Sequence, residues 1–407
     1  MIRTVWANLL HIYQPPGWDE KIVRKVARES YIPLFRILKK NPQIKITLNI
    51  NGSLTEQLAQ YKLNEIITNI KLLAGREQIE FTGSAMYHTV LPKLPVSEIR
   101  RQIHLNTKVN TKYFGKIYQP VGFFPPEMCY SNKVAKVLVK ENFSWIVLDE
   151  ISFEGKKGVM NWENGYRIKG TSLKVAFRNR KISDLFAVKP QAETKKMFRE
   201  NCCTGEPLFV AMDGETLGHH RPGMEKVFEE LTLDKKVQTV TYSQALRAYG
   251  SFKSISPYSS SWASSERELK KGIPFELWDH PKNPIHKLQW ELFNLAIVIV
   301  TESKSDKNFK SARTLLDKSM SSDFFWWASA HPWWSVEIIE EGVARLQKLI
   351  NSLNNPPAIK LKKANLLAKE IIDLARQWQD SGHAYKEKKM FLAGYNYKPY
   401  MAGKKET

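Results

Sequence analysis

A β/α barrel followed by a helical domain is the fold class predicted by this chain, and three observations predict it. Seven or eight short apolar runs recur roughly every 30 to 40 residues, with helical spacing between them, as βα units require. Most of these runs stop in polar or charged residues rather than in turns alone. Beyond about residue 255 the runs cease and four long helical patterns follow. A parallel β/α architecture collects its strand ends on one face, so residues distant in sequence converge there.

The first run, residues 5–10, ends in His11-Ile12-Tyr13-Gln14-Pro15-Pro16, and residues 19–40 carry helical spacing. A second strand, 45–50, ends in Asn49-Ile50-Asn51-Gly52. Ser53-Leu54-Thr55-Glu56 then reads as a capping box opening a helix to about residue 73. The third strand, 79–81, ends in Thr82-Gly83-Ser84, with Tyr87-His88 just beyond, and 97–114 is helical. The fourth, 121–124, ends in Pro125-Pro126-Glu127, and 132–141 is helical. The fifth, 145–148, ends in Asp149-Glu150. After a polar insertion the sixth, 173–177, ends in Arg178-Asn179. The seventh, 208–212, is a continuous apolar run suited to a strand buried on both faces. It breaks off into Asp213-Gly214-Glu215 and Gly218-His219-His220. Residues 238–242 either form an eighth strand or leave the ring incomplete. Helical patterns follow near 284–303, 308–319, 334–352 and 357–380. The expected domains are a catalytic barrel over 1–255, a helical domain over 256–385 that completes the substrate cleft, and a frayed tail over 386–407.

Composition narrows the function classes. The chain has 407 residues, 43% hydrophobic and 25% charged, the balance of an ordinary globular protein. No run reaches the length of a membrane span. Residues 1–16 lack both the apolar length and the cleavage site of a signal peptide, so a cytoplasmic location is expected. The three cysteines, Cys129, Cys202 and Cys203, form neither a disulfide framework nor a CxxC metal pair. A net charge of +21 invites a nucleic-acid reading. The lysines are scattered and no nucleic-acid-binding motif is present, so a solvated surface is favoured and no specific nucleic-acid partner is expected.

Glu127 and Asp213 are the most informative pair. Two carboxylates in one cleft are the equipment of glycoside hydrolysis, one attacking the anomeric carbon and one serving as acid and then base. Their mutual repulsion would drive the two pKa values apart. Glu215 lies two residues past Asp213, on the same side of an extended chain, and spacing alone does not choose between them. His11, His88, His219 and His220 suit either metal binding or contacts to sugar hydroxyls. No pair among them has helical ligand spacing, so sugar contacts are favoured and no metal or other cofactor is expected. Of the 12 tryptophans, Trp262 and Trp326 sit in later loops where flat rings could stack on sugars. Asp323, before Phe324-Phe325-Trp326-Trp327, could reach the cleft from a helix end.

Taken together, these stretches resemble glycoside hydrolase family 57, with motifs in family order over the first two thirds of the chain. His11-Ile12-Tyr13-Gln14-Pro15 is similar to its His-x-His-Gln-Pro motif. Gly83 through His88 to Leu91-Pro92 resembles the second. Gly122-Phe123-Phe124-Pro125-Pro126-Glu127 resembles Gly-x-Trp-x-Pro-Glu, whose glutamate is the family nucleophile. Asp213-Gly214-Glu215-Thr216-Leu217-Gly218 resembles Asp-x-Glu-x-Phe-Gly, whose aspartate is the acid/base. Ser322-Asp323 resembles the helical-domain motif most loosely. The resemblance implies an incomplete (β/α)7 barrel with a helical domain and a retaining mechanism on α-glucans, of α-amylase or 4-α-glucanotransferase type. It also implies Asp213 over Glu215 as acid/base, no metal in the chemistry, and an α-glucan or oligosaccharide as substrate. Gln14, with the histidines, Glu215, Trp262, Asp323 and Trp326, then belongs to substrate binding. Tyr13 and Phe124 depart from the motifs and alter the cleft lining, not the carboxylates. A metal-dependent polysaccharide deacetylase and a non-catalytic glucan-binding protein are the competing readings, and oligomeric state is left open.

Overall fold

The computed structural model describes residues 3–201 and 205–393. Cys202, Cys203 and the tail from 394 onward lie outside the described residues; Cys129 is buried and free. The chain divides into two compact units. Of the described residues, the first takes 3–86 and 91–262, and the second takes 87–90 and 263–393.

In the first unit the strands are β1 (Thr4–Ile12), β2 (Ile46–Ile50), β3 (Ile79–Gly83), β4 (Gly122–Phe123) and β5 (Trp145–Asp149). They continue as β6 (Gly165–Ile168), β7 (Lys174–Arg178), β8 (Leu208–Asp213), β9 (Val237–Val240) and β10 (Phe252–Ile255). Seven run parallel in the order β8-β1-β2-β3-β4-β5-β7, an incomplete (β/α)7 barrel. Among the described residues, β7 and β8 share no ladder. The Asn179 amide donates to the Phe209 carbonyl at 2.8 Å, and Arg178 Nε donates to the Ala211 carbonyl at 2.8 Å. The run at 238–242 does not fill this gap. It is β9, which pairs with the first half of β1, Thr4 to Ala7, while β2 takes the second half.

Two short strands in polar sequence escape a hydrophobicity reading. β6 pairs antiparallel with β7, and β10 pairs parallel with β6, extending the sheet past β7. β6 is interrupted by the exposed Arg167 and β10 is at most half-buried, so neither presents an apolar run. The helix expected from 53 to 73 is two helices, Gly52–Gln60 and Asn64–Gly75, broken where Lys62 takes φ 55°. Asn51, not Ser53, occupies the N-cap, and no capping box forms there. Residues 19–40 become Glu20–Val26, a π-helical turn Ala27–Tyr31, and Ile32–Lys40.

The pleat decides which side chains reach the barrel interior, because successive residues face opposite sides of a strand. On β1, Trp6, Leu10 and Ile12 pack outward against the helices, while Ala7 and Leu9 belong to the inner cluster. On β8, Leu208, Val210 and Met212 face out, and Phe209 and Ala211 face in. On β5, Trp145 and Val147 face in, and on β7 Ala176 does. Continuing each inner row by two residues reaches His11, Asp213, Asp149 and Arg178, so one polar ring caps the inner apolar core. On β4, Gly122 passes close against the Trp145 ring. A Cβ there would lie 2.0 Å from the indole, so only glycine fits.

The second unit is helical. Pro284–Glu302, Phe309–Lys318, Val336–Asn351 and Ala358–Asp380 bury Ala296, Ile299, Leu316, Val343, Leu346 and Ile371 between them. The first is capped by Asn283, whose side-chain oxygen accepts from the amides of Ile285 and His286. The expected tail from 386 begins inside a helix, His383–Ala393.

Candidate active site

Parallel register brings His11 beside Asp213 on one side and beside Asn49 on the other. The His11 Nδ1 and Asn49 Oδ1 are 2.6 Å apart, and Asn49 Nδ2 donates to Thr82 Oγ1 at 2.9 Å. A polar row therefore crosses β8, β1, β2 and β3. Burial pushes the His11 ring down to about 4, against the Asn49 hydrogen bond, so the imidazole is neutral at ordinary pH. Phe124 stacks on it with centroids 4.7 Å apart and planes 15° apart, and Tyr13 lies parallel to it at 6.1 Å. The two residues that depart from the motifs thus both line His11.

Asp213 is half-buried at the end of β8. Burial pushes its carboxyl up to about 6, while the Arg178 guanidinium pulls the other way. Glu215 is buried one turn on, in a 3-10 turn, Gly214–Thr216. Three donors meet its Oε1: the Tyr13 amide at 3.0 Å, Gln14 Nε2 at 3.3 Å and the Tyr31 hydroxyl. Burial and the neighbouring Asp213 charge nevertheless push it up to about 8, so it holds a proton at neutral pH.

That turn is fastened by the π-helical turn Ala27–Tyr31. Ser30 Oγ donates to the Gly214 carbonyl at 2.8 Å, and Tyr31 reaches Glu215. Gly218, at φ 116°, lets the chain pass so close that a Cβ would lie 1.9 Å from the Glu29 carbonyl oxygen. A π-turn set against a strand-end carboxylate is a frequent mark of a functional site. Neither Tyr31 nor this turn is legible from spacing, since Tyr31 falls within an ordinary amphipathic stretch.

Glu127 follows β4 in a 3-10 turn, Pro126–Met128, with φ 58° and ψ 15°, and is half-buried. Its Oε2 accepts from the Trp262 indole Nε1 at 2.9 Å. The indole meets His11 and Phe124 edge-on, at 6.2 and 5.9 Å, and the Arg178 guanidinium carbon lies 6.0 Å from its ring centroid. Trp262, His11 and Arg178 thus connect the surroundings of Glu127 to those of Asp213.

Arg178 itself carries no signal in the sequence beyond its place at a strand end. It pairs with Asp149 at 2.8 Å and Asp184 at 2.5 Å, and Arg180 also pairs with Asp149, at 2.8 Å.

His219 and His220 follow the Glu215 turn within the first unit. His219 pairs with Glu29 at 2.5 Å beside a cavity of about 450 Å³, and the His220 amide donates to the Glu215 carbonyl at 2.8 Å. His88, Asp323 and Trp326 belong to the second unit. There His88 Nδ1 lies 3.0 Å from Ser322 Oγ, the Asp323 carboxylate accepts from Ser321, and Trp326 packs on Trp333 at 4.4 Å. Among the described residues no group of three or more His, Cys, Asp or Glu could hold a metal ion, and no helix is long and apolar enough to cross a membrane.

The sequence model of glycosyl hydrolase family 57 matches residues 4–256. An α-amylase of Pyrococcus horikoshii is 24% identical over 258 residues, covering 59% of this chain and 40% of that protein. A 4-α-glucanotransferase of Thermococcus litoralis is 23% identical over 255 residues, covering 59% and 38%. The chain therefore spans about two fifths of the length of these curated relatives. The crystal structure of the T. litoralis 4-α-glucanotransferase superposes with a TM-score of 0.68 at 18% identity, over 86% of this chain and 60% of that one. A branching enzyme from Thermococcus kodakaraensis superposes with a TM-score of 0.68 at 15% identity, over 90% and 94%. At such identities the likeness bears on the fold.

Proposed function

The chain belongs to glycosyl hydrolase family 57, and on that premise we propose that it cleaves or transfers α-glucosidic bonds by double displacement. The observation that carries this is the different treatment of two carboxylates in one connected cluster. Glu127 accepts a hydrogen bond from an indole N–H, which suits an ionised nucleophile. Asp213 is held near pKa 6 by burial, with only partial relief from Arg178, which suits an acid that must first carry a proton.

In the first step a Glu127 carboxylate oxygen bonds to the anomeric carbon. The bond from that carbon to the leaving oxygen breaks, and the leaving oxygen takes the Asp213 proton. In the second step a water or a sugar hydroxyl gives its proton to Asp213 and bonds to the anomeric carbon, which releases Glu127. His11, kept neutral, and Gln14 serve as contacts to sugar hydroxyls. The names of the relatives, amylase and glucanotransferase, support an α-glucan as substrate.

Incubation with a malto-oligosaccharide series tests this. Either shorter products or a redistributed length ladder is expected from the wild type. Glu127→Gln should fold normally and lose activity by several orders of magnitude, with azide partly restoring turnover of an activated glycoside in Glu127→Gly. Substantial activity in Glu127→Gln removes the assignment.

A further inference from the structure

We propose that Trp262 is a positioning residue that clamps the nucleophile Glu127, rather than a platform for a sugar ring. The inference rests on the reading of Glu127 given above and assigns a second residue to its geometry.

Glu127 and Met128 both have positive φ, 58° and 48°. Two successive non-glycine residues in the left-handed region are unfavourable, and such a turn persists only where its surroundings over-determine it. The surroundings here are a loop 135 residues away. The Trp262 amide donates to the Glu127 carbonyl at 3.1 Å, and the Trp262 indole Nε1 donates to Glu127 Oε2 at 2.9 Å. One residue thus holds both the backbone and the carboxylate of Glu127. Two further ties bring the loop to the same place. The Tyr130 amide donates to the Ser260 carbonyl at 2.8 Å, and the hydroxyls of Ser260 and Ser152 are 2.6 Å apart. The Tyr258 amide also donates to the Ser152 carbonyl at 2.8 Å, so the loop is fastened beyond β5 as well as beyond β4.

The half-buried indole also meets residues from three strand ends. Its edges contact His11 and Phe124, and the Arg178 guanidinium sits over its ring. These three residues come from the ends of β1, β4 and β7. They hold the ring so that its single polar atom meets the carboxylate. A carboxylate fixed in plane and rotamer before substrate arrives needs less reorganisation in the transition state. A sugar platform would act on binding; a clamp acts on the rate of attack.

The two roles separate in kinetics. Trp262→Phe keeps a flat ring and deletes the N–H. Benzothienylalanine at position 262, introduced by stop-codon suppression, keeps the bicyclic shape and replaces only the N–H with sulfur. On an aryl malto-oligoside, both proteins should retain KM within about twofold and lose kcat by about 10- to 100-fold, the worth of a hydrogen bond to a charged group. The benzothienyl protein decides the matter where Trp262→Phe does not fold. Its kcat within about twofold of wild type overturns the clamp. So does a raised KM with unchanged kcat, which is the mark of lost uniform binding. Wild type and Glu127→Gln are assayed alongside. An inactive wild type or an active Glu127→Gln means that the nucleophile reading itself has failed, and the clamp falls with it. An active wild type and dead Glu127→Gln, with an unaltered benzothienyl protein, removes the clamp alone.

Discussion

Two acidic pairs end strands of the same barrel, Asp149-Glu150 after β5 and Asp213-Glu215 after β8, and the protein treats them in opposite ways. Asp149 is buried and meets two arginines, Arg178 at 2.8 Å and Arg180 at 2.8 Å, and it also caps the Ile151 amide. Glu150 accepts from the amides of Arg180 and Gly158, each at 2.9 Å. Asp149 therefore has two ionic partners, and each carboxylate oxygen of Glu150 accepts a backbone amide. Asp213 is half-buried and Glu215 buried, and among the described residues neither has an ion pair of its own. Glu215 meets only neutral donors, and both carboxyls are pushed up, to about 6 and about 8. Buried charge that is paired is structure; buried charge left half-compensated titrates in the range where chemistry happens. Arg178 belongs to both sites, since it pairs with Asp149 and moderates Asp213.

The largest expected difference is in rate. Asp213→Asn should lower kcat by about 10²- to 10⁴-fold on glucan, the usual worth of general acid–base catalysis, and by less on a substrate with an activated leaving group. With the activated substrate a glycosyl-enzyme should accumulate and be visible by intact mass. Equal losses on both substrates would place Asp213 outside proton transfer. Next in size is a loss of stability at the paired site. Asp149→Asn leaves the buried Arg178 with one carboxylate, Asp184, and the half-buried Arg180 facing a neutral amide, so a cost of about 3 kcal/mol is expected in urea denaturation. Asp213→Asn should not share that cost at pH 7. A carboxyl raised to about 6 is already ionised at a disadvantage there, and the amide relieves it. Comparable destabilisation by the two variants would erase the distinction between the sites.

What the sequence made legible follows from what each feature depends on. β1, β2, β5 and β8 are buried strands of apolar residues, so hydrophobicity alone located them, and the polar residues that end them located His11, Asp149 and Asp213. β6 is a four-residue strand interrupted by the exposed Arg167 and β10 is at most half-buried, so neither left such a trace. β9 was visible as a run, but its partner depends on which half of β1 is vacant, which periodicity does not encode. Glu127 was found as the carboxylate that ends the fourth run, and its role as nucleophile came from a six-residue motif. The tryptophan that grips it was visible only as an aromatic in a serine-rich loop, because a contact across 135 residues has no local signature. Tyr31 was missed for the same reason: its hydroxyl matters through Glu215, 184 residues on. Burial of a charge is likewise a property of the assembled core, so the choice between Asp213 and Glu215 had to come from the family motif.

The smallest expected effect is the most direct probe of that choice. Glu215 has its carboxyl raised from the ordinary glutamate range to about 8, first by burial and then by the Asp213 charge. In the window from about 4.5 to 8 the folded protein keeps this proton while the unfolded chain has lost it. The folded state therefore binds more protons, and stability must fall as pH rises through the window. Glu215→Gln holds the neutral form permanently and can keep the carbonyl that Tyr13, Gln14 and Tyr31 address. Its melting temperature should decline less than that of the wild type as pH rises from about 6 to 8, a range that lies above most of the window of Asp213. Activity should fall by less than in Asp213→Asn, because the variant keeps the hydrogen bonds through which Glu215 anchors Tyr13 and Gln14. Wild-type and variant melting curves that decline in parallel over that range would show Glu215 to be ionised in the folded protein. The contrast between the two acidic pairs would then rest on Asp213 alone.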